Sequence, residues 1–172
     1  PEIDDIPESG KTLLENSLIK SREAHRITGL PSLADDSGLE VDLLNGAPGV
    51  YSARYAGENV TYDENINKLL SKLVKYNNVE VRTARFKTVI SYVSNKMELV
   101  EYGEVEGYIT TSKLGSNGFG YDPIFKPKGF NLTFAEMNHL QKAKISHRSK
   151  ALNKMKTKLI KIYEEKGVNI DK

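Results

Sequence analysis

The chain has 172 residues, with 25 Lys and Arg against 23 Asp and Glu, a formal net charge of +2. That balance gives no basis for gripping nucleic acid through bulk electrostatics. With no cysteine, disulfides and thiolate metal sites are excluded, and no apolar run approaches the roughly 20 residues that cross a bilayer.

The length fits one domain, or one domain with two lobes. Thr12-Leu13-Leu14-Glu15 is a capping box that opens a helix running to about Ile27, with Gly29 as its stop. From Pro31 a short apolar strand runs into Asp35-Asp36-Ser37-Gly38 and ends at the acids. Leu39 to Leu43 alternates apolar and acidic residues and reads as a second strand, turned by Asn45-Gly46. A Pro-Gly loop follows over 47–57. A second capping box, Thr61 to Glu64, opens a helix with Ile66, Leu69, Leu70 and Leu73 on one face. Val79 to Val93 is β-branched and aromatic, a long strand. Asn95 turns it into a partner strand from about Met97 to Gly107. Ser112 to Gly120 is a Gly/Ser/Asn loop, and Tyr121 to Phe125 a short strand or its entry. Asn138 to Gln141 caps a short helix, and Ser146 caps a last one with a stripe of Leu152, Met155, Leu159 and Ile162. The mixture predicts an α/β class with a long mixed or antiparallel portion.

Carboxylates at the end of a buried strand are costly unless something pairs with them, and a hard cation such as Mg²⁺ is a natural partner. Neighbouring strand residues point to opposite faces, so at most one of Asp35 and Asp36 faces a site. Alternation alone leaves the choice open, and both acids also suit a plain turn. Glu8 can serve a metal and Lys20 a phosphate, though each also suits a solvated surface. Gly10-Lys11-Thr12 ends like a phosphate-binding P-loop, but the motif's first glycine and leading strand are missing, which excludes a Walker-type site. In the loop Gly115 to Asp122, Phe119 and Tyr121 can stack on a planar base and Asp122 can accept hydrogen bonds from it. The plain alternative is a hairpin loop with its aromatics docked in the core. Ser146-His147-Arg148 puts cations at a helix start, an unfavourable place unless a ligand faces them.

Ala34-Asp35-Asp36-Ser37-Gly38-Leu39, Gly46 to Tyr55, Gly118-Phe119-Gly120-Tyr121-Asp122-Pro123-Ile124-Phe125, Thr133-Phe134-Ala135-Glu136-Met137 and Ile145-Ser146-His147-Arg148 occur in that order. Together they resemble the inosine/xanthosine triphosphate pyrophosphatases, from Glu8 to the final helix. The resemblance implies hydrolysis of non-standard purine nucleoside triphosphates (ITP, dITP, XTP) to the monophosphate and pyrophosphate with Mg²⁺. It implies a single two-lobed domain over 1–172, an α/β fold with an elongated central mixed sheet, and a cleft between the lobes. By that likeness Glu8 and Asp36 hold the metal and Asp36 is the general base. Lys20, Ser37, Phe119, Gly120, Tyr121, Asp122, Lys142, His147 and Arg148 contact substrate. A homodimer in the cytoplasm is expected, with no nucleic-acid or membrane partner. Donors at His147 and Arg148 suit a 6-oxo purine and leave adenine unmatched.

Members of that family open with a strand and a loop of the form Thr-Gly-Asn-x-x-Lys, which has no counterpart in Pro1 to Glu8. The expectation is that part of the domain precedes Pro1 and that this chain alone is a poor catalyst. The corresponding alternative is a nucleotide-binding module without turnover.

Overall fold

The structure is a computed structural model that describes residues 6–165; the ends of the expected 1–172 domain lie outside them. The described residues form helices α1 (Leu13–Thr28), α2 (Tyr62–Lys72), α3 (His139–Ile145) and α4 (His147–Glu165). Their strands are β1 (Ser32–Val41), β2 (Pro48–Gly49), β3 (Thr83–Ser94), β4 (Met97–Ile109) and β5 (Phe125–Pro127). The sheet order is β2-β1-β3-β4-β5. β1 runs antiparallel to β2 and β4 antiparallel to β5, with Leu39 opposite Gly49 and Tyr108 opposite Lys126. This is the expected α/β class.

Local chemistry sets the helix boundaries. Thr12 and Glu15 exchange side-chain and backbone bonds at the start of α1, as do Thr61 and Glu64 for α2 and Asn138 and Gln141 for α3. Such boxes satisfy amides that have no partner within the helix. Gly29 ends α1 with φ 68°.

Three expectations change. Leu39 to Leu43 is not a separate strand: Leu39 to Val41 end β1, and Asp42–Leu44 is a 3₁₀ turn. β1 does not stop at the acids but runs through Asp35, Asp36, Ser37 and Gly38 to Val41. Both carboxylates have cationic partners, described below, so neither has to break the strand to reach water. The Val79 end of the long strand is a 3₁₀ turn instead, whose Asn78 side chain caps Glu80, and β3 starts at Thr83.

The chain divides into two compact units, to both of which β1, β3 and β4 contribute. One comprises the described residues of Pro1–Asp36, Thr88–Gly103 and His147–Lys172. Here β3 is buried on both faces. Ile90 and Tyr92 pack with Ala151 and Met155 of α4, whereas Ser91 between them meets α1. The α4 stripe therefore runs through Ala151, Met155 and Leu159. Leu152, expected on it, is exposed, because the buried register steps by four from Ala151.

The second unit is Ser37–Lys87 with Glu104–Ser146. Its core joins Leu39 and Val41 of β1 to Ile66 and Leu69 of α2, with Phe86, Phe125 and Phe134 in mutual ring contact. Arg82 is buried there and spends its guanidinium on backbone, donating to Tyr76 O at 2.6 Å, Thr110 O at 2.7 Å and Leu73 O at 2.9 Å. Burial pulls its pKa down. The Leu73 carbonyl belongs to the C-cap residue of α2, so Arg82 ties that helix end to the chain after β4.

Candidate active site

The described residues gather the expected side chains into separate clusters, one in each unit. In the first unit, Lys20 on α1 donates to Glu8 Oε1 at 2.7 Å and to Asp36 Oδ1 at 2.9 Å. Asn16, one turn earlier on α1, donates its Nδ2 to Asp36 Oδ2 at 3.3 Å. Residues four apart on a helix share a face, so one helix addresses both oxygens of one carboxylate. Buried hydroxyls seat that helix. Ser91 Oγ donates to Ser17 O at 2.8 Å and lies 2.7 Å from Ser21 Oγ, while Ser17 Oγ reaches Ala34 O at 3.1 Å.

Burial pushes the Asp36 carboxyl above the usual aspartate range; the Lys20 ammonium opposes the rise and the Glu8 charge adds to it. Burial also opposes the charge on Lys20, but its hydrogen bonds to Glu8 and Asp36 outweigh that and hold its pKa above the ordinary lysine value. Asp36 is the more deeply enclosed partner, with a side chain 9% exposed against 21% for Lys20. Its own desolvation therefore decides its direction.

Strand alternation separates the two acids. Asp36 takes Lys20 and Asn16, and Asp35 takes Arg148, whose Nε donates to Asp35 Oδ2 at 2.9 Å. Alternation alone leaves open which acid faces a site; the pairing with Lys20, which the sequence did not suggest, belongs to Asp36. Arg148 lies in the first turn of α4 and Asp35 offsets its charge there. His147, the first residue of α4, is buried.

In the second unit the turn 118–122 closes on Asp122. This buried carboxylate accepts the Phe119 amide at 2.9 Å and forms an ion pair with Lys142 of α3. Gly118 has φ 79°, and a Cβ there would come within 2.0 Å of Asp122 Oδ2, so the turn needs glycine for closeness as well as conformation. Phe119 keeps its ring 51% exposed, with Lys142 Nζ 4.9 Å from the ring centroid. Tyr121 differs. It is buried and donates its hydroxyl to Ser52 O at 2.9 Å. Burial raises its pKa. A ring placed so cannot offer a stacking face, so Phe119 is the aromatic surface of this turn and Tyr121 anchors it. Gly120 lies between them with φ 59°, and Ser37 is half-buried within β1.

Two residues here escaped the sequence reading. Tyr62, at the start of α2, sets its ring 6.5 Å from that of Phe119 and is itself exposed; the capping box around it hid it. Asn16 is fully buried, and its only sequence signal is its place four residues before Lys20.

Among the described residues no group of three or more His, Cys, Asp and Glu side chains is placed to hold a metal ion. The nearest fit is the pair Glu8 and Asp36, whose oxygens reach a single ammonium. Mg²⁺ commonly takes one or two protein carboxylates and fills the rest of its shell with water and phosphate oxygens, so the pair fits that ion.

The first unit thus holds carboxylates around an ammonium, and the second holds an exposed aromatic ring beside a lysine, in a protein of the α/β class. The chain belongs to the Ham1 family, whose model matches residues 1–158. It is 48% identical over 156 residues to the dITP/XTP pyrophosphatase of Vibrio cholerae, covering 89% of this chain and 78% of the relative. The Ham1 protein structure from Staphylococcus aureus is 45% identical, with a TM-score of 0.84, covering 91% of this chain and 80% of that one. The HAM1 protein structure from Coxiella burnetii is also 45% identical, with a TM-score of 0.85, covering 92% and 81%.

Proposed function

We propose that this chain is a nucleoside triphosphate pyrophosphatase that hydrolyses non-standard purine nucleotides (dITP, ITP and XTP) to the monophosphate and pyrophosphate. The observation that carries the reading is the Glu8–Lys20–Asp36 cluster in a chain 48% identical to a dITP/XTP pyrophosphatase. A triphosphate brings several negative charges, and Lys20 supplies a cationic hydrogen-bond donor for its oxygens. Asp36 is the general base. Its carboxylate orients the attacking water and takes its proton, and a raised pKa suits that task. Water attacks the α-phosphorus, the bond to the bridging oxygen breaks, and pyrophosphate leaves.

Glu8 and Asp36 would hold Mg²⁺, which when bound neutralises phosphate oxygens and eases deprotonation of water. The Phe119 ring stacks on the base, and Lys142, Asp122 and Gly120 form the turn that holds it. Tyr121 serves it indirectly by fixing the turn. His147 and Arg148 favour a 6-oxo purine, and Ser37 meets the phosphate end. The proposal includes one two-lobed domain, a homodimer and a cytoplasmic setting, as the resemblance implies. No described helix is long and apolar enough to cross a membrane.

The test is product analysis with dITP, ITP, XTP, ATP and GTP, with and without Mg²⁺. Monophosphate and pyrophosphate from the 6-oxo substrates, and only with the metal, are expected. Diphosphate with orthophosphate, or binding without product, contradicts the reading.

A further inference from the structure

We infer that Asn16 is a positioning residue for Asp36, acting through a clip that runs from the Gly10 amide through the Asn16 side chain to the carboxylate. The inference rests on the proposed role of Asp36 as base. Gly10 N donates to Asn16 Oδ1 at 2.8 Å, and Asn16 Nδ2 donates to Asp36 Oδ2 at 3.3 Å. A backbone amide can only face the oxygen of the side-chain amide, and a carboxylate can only face its nitrogen. Both neighbours therefore select the same orientation. Asn16 has no exposed surface, so water does not compete for either bond.

The clip depends on close approach at Gly10. A Cβ there would stand 2.6 Å from Asn16 Oδ1 and 2.7 Å from Glu15 Cβ. That glycine also brings the segment carrying Glu8 against α1, where Glu8 meets Lys20.

The division of labour follows from charge. Lys20 bonds Asp36 Oδ1 and Glu8 at once, and a triphosphate competes for the same ammonium. When Lys20 turns to phosphate, Asp36 loses its charged tether. Asn16 is neutral and enclosed, has no reason to leave, and keeps Oδ2 fixed while Oδ1 works on water. A buried carboxylate with one oxygen held is pre-oriented. A buried carboxylate with neither held samples other rotamers.

Asn16→Ser separates this role from a plain structural one. It adds no charge beside Asp36 and takes the amide donor away from Asp36 Oδ2. With dITP and Mg²⁺, kcat is expected to fall at least about tenfold with KM within about threefold, the pattern of a group that serves the transition state. The melting temperature is expected to stay within about 4 °C of wild type. A kcat within about twofold of wild type overturns the inference, as does a proportional loss of kcat and melting temperature. Asn16→Ala covers the case in which the serine hydroxyl itself reaches Asp36, with the same split expected.

A second readout needs no turnover. The side-chain NH₂ signal of Asn16 in a ¹⁵N spectrum, identified by its loss in Asn16→Ser, should move in Asp36→Ala and exchange slowly in wild type. An Asn16 signal indifferent to Asp36→Ala contradicts the contact even if the chain hydrolyses nothing. Absence of wild-type hydrolysis, with the signal behaving as expected, instead overturns the assignment of Asp36 as base.

Discussion

Lys20→Met removes the one ammonium bonded to both Glu8 and Asp36 and keeps most of its stem. The two carboxylates are not left equally exposed. The Glu8 side chain is 33% exposed and can turn to water, whereas that of Asp36 is 9% exposed. Removing one partner of a buried ion pair costs about 3–5 kcal/mol, mostly the burden of the charge left behind. With Glu8 able to relax and Asp36 able to take a proton, the lower end applies, about 3 kcal/mol. For a chain of this size that corresponds to a fall of about 6–12 °C in melting temperature. Metal-free calorimetry at neutral pH reads it.

The pH dependence carries a second check. The folded-state pKa of Lys20 stands above its ordinary value of 10.5. Its contribution is therefore fully present below that pH and is lost as pH rises through the folded value. The gap between wild type and variant should close in strong alkali. Mg²⁺ should then raise the melting temperature of the variant more than that of wild type, because the carboxylates no longer have an ammonium to surrender. A variant melting within about 2 °C of wild type at neutral pH would refute the bridging role of Lys20.

Three further expectations follow from the same geometry. Asp36 has a folded-state pKa above its unfolded value of about 3.9, so the folded chain holds that proton more tightly and loses stability as pH rises through the interval between them. In metal-free urea melts Asp36→Asn should gain on wild type as pH rises from about 3 until the folded-state pKa of Asp36 is passed, and a variant that loses ground over that range would reverse the sign argued here. Tyr62→Ala removes the aromatic neighbour of Phe119 and should raise KM for dITP by about 3–10-fold with kcat little changed, as a base–aromatic contact of about 1 kcal/mol implies; an unchanged KM would confine the stacking surface to Phe119. Arg82→Met leaves three buried carbonyls without their donor and should cost at least about 3 kcal/mol in denaturant melts, given roughly 1–3 kcal/mol for each unsatisfied group, while KM stays near wild type; a loss below about 1 kcal/mol would mean that water replaces the guanidinium.

Much of this architecture was legible from local chemistry. The Thr12–Glu15, Thr61–Glu64 and Asn138–Gln141 boxes announce their helices because the cap is a short-range device that needs nothing from the rest of the chain. The α/β class follows from those helices and from the long β-branched run that becomes β3. What local pattern could not supply was tertiary compensation. Asp35 and Asp36 look like a strand end until Arg148, 113 residues away, and Lys20 are brought to them. The register of α4 went astray at Leu152 because Ala151, a poor hydrophobic signal, takes the place against Ile90 and Tyr92 that closeness to β3 demands. Tyr121 and Phe119 are two residues apart and equally aromatic; only the Ser52 carbonyl tells which is anchor and which is surface. Ser17, Ser21 and Ser91 are silent for the same reason. A serine reads as a surface or cap residue, and their burial is explained by hydrogen bonds to one another and to backbone carbonyls that the fold brings together.

The most direct measurement is turnover of dITP in oxygen-18 water, in wild type and in Asp36→Asn, with the label located by mass spectrometry. Attack at the α-phosphorus places the heavy oxygen in dIMP and leaves pyrophosphate unlabelled. If Asp36 is the base, Asp36→Asn should turn over at least about a hundredfold more slowly than wild type. Label in pyrophosphate or orthophosphate, or an Asp36→Asn variant that turns over at the wild-type rate, would contradict the account.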